Sequence, residues 1–231
     1  MDNFDFYKGK NRVLLAVDCI IFGFDKSKIK LLVFQRKVDP EAGNWSLLGR
    51  FVESDESVIN AATRVVEEST GLQDIYLEEL RTYGAVDRDP GARVVSIAHY
   101  ALIRIDESNL TSVEAFNAKW FDFDELPSLI FDHQQMVIDG MAKLRRKVRY
   151  RPIGFELLPE KFTIPQLKTL YEAILQKPLD RRNFRKKILS MDILEKLSEK
   201  DKSTSRKGAY LYRFNQHNYE ALLKEGIHFE L

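Results

Sequence analysis

Gly49-Arg50-Phe51-Val52-Glu53-Ser54-Asp55-Glu56, then seven residues, then Arg64-Val65-Val66-Glu67-Glu68-Ser69-Thr70-Gly71-Leu72, is the stretch on which the reading of this chain turns. Its second half has a helical period: Val58, Ala61, Ala62, Val65 and Val66 form one apolar side of a helix expected over Ser57–Ser69. Gly71 supplies the stop, since glycine readily takes the left-handed conformation that ends a helix. At about 100° per residue, positions 64, 65, 68 and 69 share a face. Only Arg64 and Glu68 are charged there, and Glu67 points away from it. One carboxylate on that face, with Arg50 in the preceding loop, makes a poor magnesium site, because magnesium needs several oxygen ligands. Arg64 and Glu68, four apart, form an ordinary helix ion pair contributing about 0.2–0.5 kcal/mol.

Around this loop and helix the pattern is one of strands. Arg12–Phe24 and Ile29–Gln35 alternate or run apolar around the turn-like Asp25-Lys26-Ser27-Lys28. Asn44–Leu48 is a short extended piece entering Gly49. Leu80–Val86, Val94–Ile105 and Lys119–Phe123 complete a mixed sheet, with the loop Asp87-Arg88-Asp89-Pro90-Gly91 between the first two. A mixed sheet flanked by helices is an α+β sandwich order. Composition allows a full core, with 44% hydrophobic and 11% aromatic residues among 231. There is no run of 18 apolar residues, so no membrane helix is expected. The start, Met1-Asp2-Asn3-Phe4-Asp5, lacks a basic, apolar leader, and the single cysteine, Cys19, cannot form an internal disulfide; a cytoplasmic protein is expected. Cys19 lies in an apolar run as a small core residue. One cysteine and four scattered histidines give no zinc spacing, so neither metal nor cofactor is expected.

The net charge of +1 conceals an asymmetry. Residues 1–150 carry 20 Lys+Arg and 24 Asp+Glu, whereas residues 151–231 carry 16 and 11. A helix over His133–Val148 turns basic at its end, which suits the helix dipole, and Arg151-Pro152-Ile153-Gly154 breaks it. A domain change is placed there, giving one domain over 1–150 and a second over 151–231. In the latter, Thr163 and Gln166 form a capping box, and Ile164, Leu167, Leu170, Tyr171 and Ile174 make one buried stripe. Lys177-Pro178-Leu179 ends that helix. Asp180 caps a second helix, which Phe184, Ile188 and Met191 anchor from below. Arg181, Arg182, Asn183, Arg185, Lys186 and Lys187 are its polar residues. Ile193–Leu197 and Ala209–Phe214 then read as hairpin strands around a polar tip containing Arg206 and Lys207. Two amphipathic helices, the second basic, followed by a hairpin, make a winged helix-turn-helix. Guanidiniums pair with guanine edges, and lysines neutralise phosphate. The eight polar residues from Arg181 to Lys187 and at Arg206 and Lys207 are therefore the DNA-contact candidates.

The opening stretch resembles the Nudix box: Gly, five residues, Glu, seven residues, then Arg-Glu-apolar-any-Glu-Glu-any-Gly-apolar. Glu56, Arg64, Glu68, Gly71 and Leu72 are in register; Arg50, Val65 and Ser69 replace the Gly and two Glu positions. Over about Val13–Phe214 the chain resembles Nudix-related transcriptional regulators, a Nudix-like α/β/α sandwich joined to a winged helix. The resemblance also rests on Trp45-Ser46-Leu47-Leu48-Gly49, Asp87-Arg88-Asp89-Pro90, Phe131-Asp132-His133 and Gly154-Phe155-Glu156-Leu157-Leu158-Pro159. Phe162-Thr163, Tyr171-Glu172-Ala173-Ile174-Leu175, Arg182-Asn183-Phe184-Arg185 and Leu211-Tyr212-Arg213-Phe214 add to it. It is nearest to the L-arabinose regulators of gut Bacteroidetes. It implies a homodimeric repressor on a palindromic operator, released by a sugar, and no enzyme activity. Arg50 in place of Gly, filling the approach to a pyrophosphate, favours the sugar. The alternatives are an ADP-ribose-sensing regulator of NAD metabolism, an active Nudix hydrolase with Glu53, Glu56 and Glu68 around one ion, or a nucleotide-binding scaffold without a DNA role. Asp18, Arg50, Asp89, Tyr100 and Lys119 are the expected effector contacts, polar groups suited to hydroxyls on or beside cleft strands.

Overall fold

The computed structural model describes residues 9–203 and 206–225, apart from the side chains of 107–109. The acidic start Met1–Asp5 and the wing-tip residues Thr204 and Ser205 lie outside them. The opening stretch folds as the box spacing requires. Strand β4 (Leu48–Phe51) leads into helix α1 (Val58–Thr70). Ser57 caps α1 by accepting from the Asn60 amide at 3.3 Å, and Gly71 ends it at φ 71°. Strand β1 (Leu14–Asp25) is central. It pairs antiparallel with β2 (Lys28–Gln35) and β4, and parallel with β6 (Val94–Arg104). Strand β3 (Trp45–Ser46) and β7 (Ala118–Asp122) pair with β2, and β5 (Glu78–Tyr83) pairs with β6.

Alternation along β1 decides what each layer covers. Val17, Cys19 and Ile21 face α1, packing with Ala61, Ala62, Val65, Val66 and, from α2 (Glu107–Ala115), Val113. Ile20, Phe22 and Phe24 face α3 (His133–Tyr150), packing with Met136, Val137, Met141 and Leu144. At Gly140 a Cβ would lie 3.3 Å from the Phe22 ring, so glycine permits α3 to lie close on the sheet. The result is an α/β/α sandwich with a mixed sheet. Burial pushes the Cys19 thiol pKa up, in keeping with a core residue.

Beyond α3, strand β8 (Phe162–Thr163) leads into α4 (Ile164–Leu175), whose capping box is complete. Helix α5 (Arg181–Leu189) is capped by Asp180, which accepts from the Asn183 amide at 2.8 Å. Strands β9 (Leu194–Asp201) and β10 (Ala209–Phe214) pair as the wing, β10 also pairs with β8, and α6 (Gln216–Glu225) follows. Several expectations shift. Leu80–Val86 is realised as β5 over Glu78–Tyr83, β9 runs on past Leu197, and α2 and α6 were not expected. Val58 and Met191, expected to be buried, are half-buried. Among the described residues no helix is long and apolar enough to cross a membrane.

The apolar core does not stop at the end of α3. Leu144 and Val148 share one cluster with Leu158, Leu167 and Leu170, so the sandwich and the winged helix pack through common side chains. Truncating Leu144 to Ala removes contacts on both sides. It is expected to cost about 2–5 kcal/mol, read by urea unfolding as one transition at lower midpoint rather than two.

Candidate functional site

The residual box makes a clamp. Arg64 donates to Glu56 from Nε at 3.0 Å and Nη2 at 2.5 Å, and to the Phe51 carbonyl at 3.2 Å. Glu56 also accepts from the Glu53 amide at 2.8 Å. These bonds, Arg64's first, hold the Glu56 carboxyl down at about 2. Glu68 sits between Arg64 at 3.6 Å and Arg50 at 3.4 Å. Val65 is fully buried on the sheet side of α1, as the apolar stripe required; Ser69 is half-buried. The divalent ion of a Nudix hydrolase does not fit this donor set. Glu56 and Glu68 are committed to guanidiniums, and position 65 is a core methyl cluster. Among the described residues no three His, Cys, Asp or Glu side chains gather into a metal site.

On the other face of the sheet lies a buried polar cluster that pattern reading did not assemble. Asp18, expected as an effector contact, accepts from Ser96 Oγ at 2.6 Å and from Arg88 at 3.3 Å. The Arg88 side chain is 3% exposed and also makes a two-pronged bond to Asp132, at 3.0 and 2.8 Å. Burial pulls the Arg88 pKa down, but the Asp132 and Asp18 carboxylates outweigh it and hold the charge. His133 Nδ1 accepts from the Leu47 amide at 3.1 Å, so the proton sits on Nε2, 3.4 Å from Asp18. Gly49 is obligatory here, since a Cβ would stand 2.1 Å from Asp18 Oδ1. A lone Asp in an apolar strand, an Arg inside Asp87-Arg88-Asp89-Pro90 and a Phe131-Asp132-His133 helix start were the sequence signals; buried charges demand partners.

The five expected effector residues do not converge. Arg50 lies opposite Val17 in the β1–β4 ladder and so on the α1 face, away from Asp18. Its guanidinium reaches out to Glu68. Asp89 is half-buried and closes its own turn on the Gly91 amide at 2.7 Å. Tyr100 is buried and donates to Glu78 at 3.2 Å, and burial raises its phenol pKa. Lys119 is exposed on β7, over the Phe121 ring.

The basic residues of α5 are better gathered. Phe184 and Ile188 are buried, while Arg181, Arg182, Asn183, Arg185 and Lys186 are exposed and Lys187 half-buried. Arg206 and Lys207 are exposed at the wing. A cleft of about 470 Å³ elsewhere lies between the sandwich and the linker, but the cleft of 610 Å³ between α4, α5 and the wing is the basic one. Lys168, Thr169, Arg181, Arg185, Tyr210 and Tyr212 are among its lining. Lys196 and Lys200 stand over the Tyr210 ring at 3.9 and 4.4 Å. Lys168, Lys196, Lys200 and Tyr210 were missed because strand and helix residues on this concave side become neighbours only when the wing folds over.

Two outcomes follow from the geometry. Val65→Glu, which restores a box carboxylate in sequence, buries a charge in the core; it is expected to lower stability by several kcal/mol, of the order of 3, in urea unfolding without creating a metal site. Burial lowers the His133 pKa, so the native state prefers the neutral ring. That contribution is present above the ordinary histidine value of 6.5 and is lost as pH falls below it, because the unfolded chain binds the proton first. Wild-type stability should fall between pH 7 and 5 more steeply than that of His133→Asn, by up to about 1.4 kcal/mol per pH unit.

Comparison with known proteins agrees with this geometry. The NUDIX domain model matches residues 13–139, and the NrtR DNA-binding winged helix domain model matches residues 154–214. The ADPR-responsive transcriptional repressor NtrR of Acinetobacter baylyi is 30% identical over 211 residues, covering 90% of this chain and 84% of that protein. An ADP-ribose pyrophosphatase of Methanocaldococcus jannaschii is 35% identical over 132 residues, covering 57% and 78%. The structure of Shewanella oneidensis NrtR complexed with a 27mer DNA superposes with a TM-score of 0.77 at 27% identity, over 94% of this chain and 99% of that one. The NUDIX domain of the same protein complexed with ADP ribose gives 0.50 at 27% identity, over 62% and 99%. A NUDIX sandwich whose box has become a clamp, continued into an NrtR winged helix, places this chain in the NrtR-type family of Nudix-related transcriptional regulators.

Proposed function

We propose that this protein is a repressor that binds duplex operator DNA through α5 and the wing and is released by ADP-ribose. The observation that carries the reading is similarity to an ADPR-responsive repressor along 90% of the chain, with the basic face of α5 intact. This replaces L-arabinose as the expected effector. The physical argument for a sugar was Arg50 alone, and Arg50 is paired with Glu68 on the α1 face, apart from Asp18 on the other face of the sheet. Asp18 and Asp89 spend their carboxylates on protein partners, which removes two of the groups meant for sugar hydroxyls.

In this reading Arg181, Arg182, Asn183 and Arg185 meet base edges. Lys186, Lys187, Arg206 and Lys207 meet phosphate, joined by Lys168, Lys196 and Lys200. One short helix reads few base pairs, so two copies on a palindrome supply the specificity. The loss of box carboxylates supports a sensor rather than a hydrolase.

Thermal shift and gel shift test this together. ADP-ribose at a hundredfold excess over Kd should stabilise the native protein by about 2.7 kcal/mol and dissociate the operator complex, while L-arabinose does neither. The Arg181→Ala, Arg182→Ala, Arg185→Ala triple variant should lose operator affinity by at least about 3 kcal/mol. Magnesium-dependent turnover of ADP-ribose at about 1 per second or faster would make the protein an enzyme instead. Operator binding untouched by the triple variant would move the DNA surface elsewhere.

A further inference from the structure

Helix α3 begins in an unusual way. Asp132 occupies its N-cap, yet its side chain makes no capping bond. Both carboxylate oxygens are taken by Arg88 instead. The backbone agrees. Ser57, Thr163 and Asp180, which do cap their helices, have ψ of 159°, 155° and 123°, whereas Asp132 has ψ of 13°. The residue before it, Phe131, has φ of 51°, a left-handed conformation that costs a non-glycine residue. The Phe131 ring packs edge-on against His133 and beneath Arg36. A good capping residue is thus held out of its cap by a buried guanidinium carried on the 84–93 loop.

The other end of α3 is tied to the DNA-binding half. Arg145 donates from Nε to the Ile174 carbonyl at 3.3 Å and from Nη2 to Gln176 Oε1. Ile174 and Gln176 lie at the end of α4, where the chain turns toward α5. Lys147 is paired with Glu78 of β5. Helix α3 therefore links Arg88, at its start, to the helix-turn-helix turn through Arg145, about 20 Å along its axis.

We infer that Asp132 has two positions, paired with Arg88 or capping α3, and that Arg88 is the positioning residue through which an anionic effector acts on the winged helix. An anion bound against the 84–93 loop draws the guanidinium off Asp132. The freed carboxylate then accepts from the amides of Gln134 or Gln135, ψ of Asp132 turns toward the extended region, and the strain at Phe131 is released. The shift at the start of α3 reaches the α4–α5 turn through Arg145. The effector half of this inference rests on the ADP-ribose reading; the two-position half does not.

Amide hydrogen exchange on the full chain, without effector or DNA, tests the two-position half. Asp132→Ser can cap but cannot pair with a guanidinium; Asp132→Ala can do neither; Arg88→Met frees Asp132. Asp132→Ser leaves Arg88 with Asp18, so it remains informative if Arg88→Met fails to fold. The Gln134 and Gln135 amides should exchange about fivefold more slowly in Asp132→Ser, and in Arg88→Met, than in Asp132→Ala. Exchange across residues 176–179 should change with them. Equal rates in all the variants, or changes confined to the first turn of α3, would overturn the switch. A second arm measures operator affinity with and without ADP-ribose. A wild-type response of about tenfold that drops to within twofold in Asp132→Ser supports the coupling. An undiminished response in Asp132→Ser refutes it. A wild type that ignores ADP-ribose refutes the effector reading, while the exchange data still decide the switch.

Discussion

The charge of Arg88, buried with two carboxylates, is the constraint around which the Nudix domain is arranged. Five segments converge on it: β1 through Asp18, β6 through Ser96, the 84–93 loop that carries it, Gly49 pressed against Asp18, and the start of α3 through Asp132 and His133. Losing one partner of such a pair costs about 3–5 kcal/mol, because the remaining charge cannot be rehydrated. The sheet, the box loop and the start of α3 are thereby tied through one buried charge. Since α3 continues into the core of the winged helix, the DNA-binding half inherits that tie.

The box shows how a catalytic pattern can persist for a structural reason. Arg64 and Glu56 still join the loop to the helix, and Glu68 still faces them, but Arg50 now answers Glu68 where a divalent ion would in a hydrolase. With Val65 in the core and Ser69 half-buried, nothing there requires more negative charge. The loop and helix of the Nudix box are kept, with Glu56 and Glu68 paired to guanidiniums.

Much of this was legible in the sequence. The Thr163–Gln166 pair and Asp180 each announced a helix start, and each caps as expected, because capping is local. The alternation of β1 and the basic arc of α5 were equally local signals. Helices α2 and α6 were missed because neither has a strong apolar stripe. Val65 was legible as part of the apolar stripe of α1 and packs against the sheet with it. The Arg88 cluster was out of reach for another reason: its members are 70 and 44 residues apart in the chain, and the need of Asp18 for a partner does not say which partner. Effector identity was further still from the pattern, since Arg50 could be read as block or as contact until its direction was known.

The central claim is that effector and operator compete through one shared equilibrium. Linkage makes that claim reciprocal: the factor by which ADP-ribose weakens operator binding must equal the factor by which operator weakens ADP-ribose binding. Calorimetric titration of ADP-ribose into the free protein and into the preformed operator complex measures the second factor directly. The account predicts affinity for ADP-ribose weaker in the complex by about tenfold. Equal affinity in the two titrations, or no binding of ADP-ribose in either, would contradict it.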